Sequence, residues 1–240
     1  MPHPVAIITG AGRGIGRATA ILLAKLNYRL TLVSRSTDDL SQTQRLCRIK
    51  GLSQKKTTLL AHADVCDLDA VQETVRLTIK KFRRVDAFLH CAGLAPLGPI
   101  DRLSPRQWHA TIDTNLSAAY YYCHALWPVW RKQRGGTAVL VSSVAARDPF
   151  TGFAAYGAAK AALNTFGLAL AREGAEFGVR VHTIAPGAVE TTMLRAVFTT
   201  QQIPPEKTLD PANVAAVIAQ CLRGDLRFTS GEVIYVHQTA

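Results

Sequence analysis

From one end to the other, the chain alternates between short runs of continuous apolar residues and longer amphipathic segments. Seven runs, at 5–9, 30–33, 57–63, 85–90, 138–142, 179–185 and 233–236, have the length of single strands. A strand with one wet face alternates apolar and polar residues, whereas unbroken apolar runs suit parallel strands covered on both faces. Helical patterns at 15–26, 38–50, 68–82, 105–133, 153–177 and 211–222 lie between these runs. Strict strand–helix alternation predicts an α/β fold: a doubly wound parallel sheet of about seven strands with helices on both faces. Ser104 and Pro105 fit the cap and first position of the fourth helix, and Pro128 inside it predicts a kink or an early end. The one long irregular stretch, 186–210, should lie at the carboxyl ends of the strands, where ligands bind in such sheets.

The 240 residues suit one domain, and 48 % hydrophobic residues are ample for its core. With 28 Lys and Arg against 17 Asp and Glu, the net charge is +11, which favours anionic partners; 17 of the basic residues precede position 121. The run Arg45, Arg48, Lys50, Lys55 and Lys56 lacks interleaved aromatics and reads as a solvated face, so no nucleic-acid role is expected. No apolar stretch is long enough to span a membrane, and with no basic region followed by an apolar core at the start, no signal segment is expected. Cys47, Cys66, Cys91, Cys123 and Cys221 form no C-x-x-C pair. Reduced thiols in a cytoplasmic protein, with no metal site, are therefore expected.

The segment Thr9-Gly10-Ala11-Gly12-Arg13-Gly14-Ile15-Gly16 leaves the first strand and enters the first helix. A glycine-rich turn here lets backbone N–H groups approach a pyrophosphate at a helix N-terminus. A mere tight turn would also use glycines, but the position after the first strand favours the phosphate cradle. At the end of the second strand, where Asp or Glu would bind a ribose 2′-hydroxyl, stand Ser34 and Arg35. A guanidinium can grip a 2′-phosphate that a carboxylate would repel, and Arg13 can approach from the other side, so NADP(H) is the expected cofactor. Both arginines read alternatively as solvated surface residues.

Tyr156 and Lys160 are four residues apart, on one helical face. A nearby cation lowers a phenol pKa, so the pair suits proton transfer to a carbonyl oxygen. Such pairs also occur innocently on surfaces. Ser143, at the end of the fifth strand, adds a hydroxyl for the same oxygen.

With these motifs in order, the chain resembles the short-chain dehydrogenase/reductase family along almost its whole length. The resemblance implies a Rossmann-type domain over 1–240, with 186–210 as a substrate loop within it. It also implies that Asp64 and Val65 hold the adenine. Asn115, within Thr114-Asn115-Leu116, would hold a water that relays protons to Lys160. Cys91, Ala92 and Gly93 would line the cofactor passage, and Pro186, Gly187, Val189 and Thr191 would contact nicotinamide. Ser143, Tyr156 and Lys160 would complete the catalytic set, with Tyr156 and Lys160 also touching the cofactor. Two departures stand out. His90-Cys91 replaces the family's paired asparagines, and His237-Gln238-Thr239-Ala240 replaces its aspartate-glycine-glycine ending.

The expected substrate is a mainly apolar carbonyl or alcohol, facing Leu94, Ala95, Pro96, Leu97, Val144, Phe150, Phe153, Met193, Leu194 and Phe198. A 3-oxoacyl-carrier-protein reductase, docking an acidic acyl carrier protein through Arg134, is the named alternative; a second such position is Phe177 here. A non-catalytic NADP(H) sensor or scaffold is the alternative of another class. Family members assemble through the helices bearing Asn115 and Tyr156. Ala118, Ala119, Ala158, Ala159 and Ala162 would allow close approach there, so a homodimer or homotetramer is expected.

Overall fold

The computed structural model describes residues 3–49 and 51–238. Seven strands form one parallel sheet in the order β3-β2-β1-β4-β5-β6-β7. They are β1 (Val5–Thr9), β2 (Arg29–Ser34), β3 (Thr58–His62), β4 (Ala87–His90), β5 (Gly136–Val141), β6 (Val179–Pro186) and β7 (Val233–Val236). The helices are α1 (Gly14–Lys25), α2 (Thr37–Leu46), α3 (Gln54–Thr57), α4 (Leu68–Phe82), α5 (Pro105–Ile112), α6 (Ala118–Gln133), α7 (Ala154–Gly174), α8 (Thr192–Arg195) and α9 (Pro211–Arg223). The strand order reverses between β1 and β4, and the crevice above that switch point is where a doubly wound sheet binds ligands.

Over the central strands both faces of the sheet are dry, as the continuous apolar runs require, while the edge strands β3 and β7 are partly exposed. Ala6 and Ile8 of β1 join Val139 and Val141 of β5 under Leu23 of α1 and Val214 and Ile218 of α9. Ile7 of β1 joins Ala138 and Leu140 of β5 under Val75 of α4, Tyr122 and Trp130 of α6, and Leu163 of α7. Each fully buried Leu or Ile stabilises the fold by about 1.5–3 kcal/mol. The Trp130 indole is also satisfied, donating to Val85 O at 3.0 Å. Helix starts follow the sequence signals: Asp67 caps α4, Ser104 caps α5 in a capping box with Gln107, and Asp210 precedes Pro211 at the head of α9.

Several boundaries differ from the sequence pattern. The segment expected as helix over 38–50 is α2, which ends at Leu46; beyond it the chain turns through Gly51, at φ +78°, into the short α3. The segment expected as one helix over 105–133 is α5 and α6 joined by a π-helical turn at Asp113–Ser117. Pro128 does not end α6. The carbonyl it leaves without a donor belongs to His124, which is exposed to water. Within 186–210, α8, a 3₁₀ turn at Pro205–Lys207 and a bridge between Val189 and Leu209 supply local structure. Arg195 staples that segment by a two-pronged pairing with Glu190 at 2.7 and 2.5 Å and a bond to Ile203 O at 2.8 Å. Of the alanines expected at an assembly face, Ala118, Ala119 and Ala159 pack inside the chain, while Ala158 is exposed. Among the described residues, no helix is long and apolar enough to cross a membrane.

Candidate active site

A cleft of about 640 Å³ opens at the carboxyl ends of the strands, reaching from Arg35 at one end to Phe198 and Ile203 at the other. Its floor is the turn after β1. Gly10, at φ +64°, lies so close to the backbone of Cys91 and Ala92 that an added Cβ would sit 2.8 Å from it. A Cβ on Gly16 would overlap the Gly10 carbonyl oxygen. Gly12, Arg13, Gly14 and Ile15 line the same floor. Only glycine permits this approach, which brings the start of α1 against the turn. No acidic side chain stands in the first turn of α1 and no side chain caps it, so its N–H groups are available to an anion. Thr9 ties the turn to the neighbouring strand: its Oγ1 accepts from Cys91 N at 3.2 Å and Ala92 N at 3.3 Å.

At the Arg35 end the wall is Ser34, Arg35, Ser36, Asp39, Ala63, Asp64 and Val65. Asp39 was not singled out by the sequence, because on α2 it reads as an ordinary first-turn acid with Ser36 as cap. Its carboxylate pairs with Arg13 at 2.7 Å and Arg17 at 3.6 Å. Desolvation pushes its pKa up, but bonds from Arg13 and Ser36 and the charges of Arg13 and Arg17 prevail and hold it below the usual carboxylate range. Arg35 lies 3.8 Å from Asp64, with its side chain largely in solvent. Each arginine at this end therefore already faces an acid.

Beyond the turn the cleft meets Ser143, Tyr156 and Lys160. Ser143 follows β5 and caps a 3₁₀ turn, its Oγ accepting from Ala145 N at 3.1 Å. Tyr156 and Lys160 share one face of α7, with the Lys160 Nζ 5.6 Å from the phenol ring centre. Lys160 is only 3 % exposed and donates to Val141 O at 2.7 Å. Burial drives its pKa down to about 7, and Cys91 opposes that weakly. The sequence expectation that Lys160 lowers the Tyr156 pKa is not met. Burial raises the phenol above its ordinary value, a hydrogen bond with Ser143 works the other way, and the ammonium is itself poorly charged near neutrality. Tyr156 is thus a protonated phenol at neutral pH, facing the cleft as a donor.

Asn115 does not line the cleft. It is fully buried in the π-helical turn, one layer behind Gly93. Its amide donates to Leu94 O at 2.7 Å and to Thr111 O, four residues back, at 2.8 Å, so one donor holds the backbone beside Gly93 and the other ties Asn115 to its own helical segment. His90 stands within hydrogen-bond reach of Thr9 Oγ1, at 3.2 Å from Nδ1. Burial, with the Lys160 charge adding to it, brings its pKa down to about 3, so it is a neutral strut between β1 and β4. Burial pushes the Cys91 thiol up to about 12, which removes it as a nucleophile. Among the described residues all five cysteines are free thiols.

The far half of the cleft carries no charged side chain. Its walls are Ala95, Val144, Phe150, Phe153, Met193, Leu194 and Phe198, together with Val197 and Ile203, which the sequence did not single out. Leu94, Pro96 and Leu97, expected here, lie outside it, and Leu94 and Leu97 face solvent. The Phe150, Phe153 and Phe198 rings meet edge to face at 5.6 to 6.1 Å between centres, and Phe153 lies 5.4 Å from Tyr156. Pro186, Gly187, Val189 and Thr191 line the roof, where Thr191 touches the position a Cβ on Gly14 would take.

Comparison with known proteins agrees with this geometry. A family model described as short chain dehydrogenase matches residues 4–202. The 2,3-dihydro-2,3-dihydroxybenzoate dehydrogenase of Escherichia coli is 31 % identical over 80 % of this chain and 71 % of its own length. The 3-oxoacyl-(acyl-carrier-protein) reductase of the same organism is 30 % identical over 97 % of this chain and 95 % of its own. A crystal structure of a 3-ketoacyl-(acyl-carrier-protein) reductase from Brucella melitensis, complexed with NADH, superposes with a TM-score of 0.90 at 24 % identity, covering 98 % of this chain and 97 % of that one. The chain belongs to the short chain dehydrogenase family and has its Rossmann-type α/β fold.

Proposed function

We propose that this short chain dehydrogenase is an NADP(H)-dependent reductase of apolar ketones or aldehydes. The observation that carries this reading is the protonated Tyr156 phenol, set between Ser143, Lys160 and a wall without charge in one cleft. The cofactor fits the residues present: the floor at Gly10 and Gly16 leaves no room for a side chain, and the open start of α1 suits a pyrophosphate. Gly12, Arg13, Gly14 and Ile15 would hold the phosphates, Ser34 and Arg35 the ribose end, Asp64 and Val65 the adenine, and Pro186, Gly187, Val189 and Thr191 the nicotinamide. When bound, the cofactor supplies the hydride.

The chain's own residues supply position and the proton. Ser143 orients the substrate oxygen with a hydrogen bond, and Tyr156 donates its phenolic proton to that oxygen as charge develops. Lys160, buried beside the phenol with its Nζ 5.6 Å from the ring centre, would touch the bound cofactor. Asn115 positions the backbone beside Gly93 that the substrate and nicotinamide must pass. The Phe150–Phe153–Phe198 wall excludes water and selects apolar substituents.

Two assays test this. A panel of aromatic ketones, diketones and acetoacetyl thioesters, followed by loss of NADPH absorbance, should give turnover; none across the panel would refute a carbonyl reductase. Arg35→Asp should weaken NADPH binding roughly 10- to 100-fold, the worth of one charge-assisted contact, while sparing NADH. Equal loss for both cofactors would refute the NADP(H) preference.

A 3-oxoacyl thioester is the second reading, favoured by end-to-end similarity to the Escherichia coli carrier-protein reductase. In that reading the +11 charge, with Arg134 exposed at the end of α6, would receive an acidic carrier protein. The protein would work as a homodimer or homotetramer, with exposed Tyr120 of α6 and Leu168 of α7 at the contact.

A further inference from the structure

A second cleft, of about 540 Å³, opens at the opposite, amino-terminal edge of the sheet. Tyr28, Arg84, Asp86, Thr137 and Arg180 line it, and Arg134 stands at its margin. Its only acid is already neutralised. Asp86 is gripped by Arg84 through bonds of 2.5 to 3.0 Å and accepts from Val5 N at 2.8 Å.

Arg180 breaks the rule that governs its strand. β6 is covered on both faces and is otherwise apolar there except for His182 and Thr183, so a guanidinium half-buried among its residues is costly unless it is paired. Among the described residues no carboxylate lies within ion-pair distance of it. Its one side-chain bond is to a neutral acceptor, Thr137 Oγ1, at 3.1 Å. Gly224, at φ +85°, lets the α9 terminus close over it: a Cβ there would stand 2.9 Å from Nη1. Tyr28 lies in the same cleft, its phenol kept protonated by burial, with Asp86 adding to that and Arg180 and Arg223 opposing it. A local violation of this kind, inside a cavity, is the mark of a site rather than of packing.

We propose that this basal cleft binds a small phosphate-bearing anion, gripped by Arg180 and Tyr28, with Arg134 adding charge at the rim. A phosphate group would complete the Arg180 fork that no carboxylate fills, and it would accept the Tyr28 hydroxyl hydrogen. The two clefts are joined by β4 and β5: Ala87 and Thr137 line one, Cys91 and Val141, four residues on, the other, so roughly 13 Å of strand separates their nearest walls and this site is separate from the cofactor cradle.

The test is calorimetric titration of inorganic phosphate and of AMP into the protein and its Arg180→Gln and Tyr28→Phe variants, all pre-saturated with NADPH. Phosphate should bind the unaltered protein, at least tenfold more weakly to Arg180→Gln and about threefold more weakly to Tyr28→Phe, with NADPH affinity unchanged in both. Equal affinities for AMP and phosphate would mark the phosphate group alone as the ligand; tighter AMP binding would mark a nucleotide. If Arg180→Gln does not fold, Arg180→Lys should keep the charge, lose the fork and weaken binding by an intermediate factor. Absence of phosphate binding to the unaltered protein, or equal binding to all variants, would overturn the site.

Discussion

In the proposed mechanism Lys160 is the residue where function and stability pull in opposite directions, and replacing it with Met separates them. Its ammonium is buried with a pKa of about 7 against an ordinary 10.5. At pH 7 the unfolded chain holds that proton and the folded chain holds it about half the time, so burying Lys160 costs about 4 kcal/mol. Lys160→Met removes this cost and loses the bond to Val141 O, itself worth about 1–2 kcal/mol. The net gain is about 2–3 kcal/mol, which raises Tm by roughly 5–10 °C for a chain of this length. The pH dependence gives a sharper signature. Below about pH 7 both states carry the proton, and above 10.5 neither does. Between them only the unfolded chain does, so the wild-type stability rises with pH by up to about 1.4 kcal/mol per unit, and this contribution is lost as pH falls through 7. Urea denaturation of both proteins at pH 6.5, 7.5 and 8.5 should show Met more stable at pH 6.5 and the gap closing as pH rises, with carbonyl turnover abolished throughout. A variant no more stable than wild type, or one with the same pH slope, would refute the buried, depressed lysine.

Other perturbations probe the cofactor floor. Gly16→Ala would drive a methyl into the Gly10 carbonyl, at a cost of about 1–3 kcal/mol; NADPH affinity by fluorescence titration should fall at least tenfold, and an unchanged affinity would mean the turn is not the cradle. Asp39→Asn frees Arg13 from its ion pair, so NADPH should bind about two- to fivefold more tightly, the worth of one exposed pair, whereas weaker binding would place Asp39 among the cofactor's own partners.

The parallel sheet was legible because strands dry on both faces leave unbroken apolar runs, and the glycine turn because close backbone approach admits no side chain. The gathering of Ser143, Tyr156 and Lys160 in one cleft was legible too, since helical spacing and a strand end fix all three. What the sequence hid were effects of tertiary packing. The π-helical turn at Asp113–Ser117 leaves no mark on apolar periodicity, yet it buries Asn115 behind the cleft wall instead of within it. Asp39 reaches Arg13 only because α2 folds back over the glycine turn, a contact 26 residues apart. The Tyr156 pKa depends on burial, which residue spacing cannot report, and burial reversed the expected direction. Pro128 does not end α6, because the carbonyl it frees belongs to the exposed His124, and the helix pattern alone does not report that exposure.

The central claim is that Tyr156 is the proton donor in a carbonyl reduction, and single-turnover kinetics of Tyr156→Phe with NADPH and a ketone that the wild type reduces test it most directly. The phenylalanine keeps the ring against Phe153 and removes only the hydroxyl. The account predicts a hydride-transfer step slowed by roughly 10²- to 10⁴-fold, with the NADPH dissociation constant within twofold of wild type. A variant that transfers hydride at the wild-type rate would contradict it.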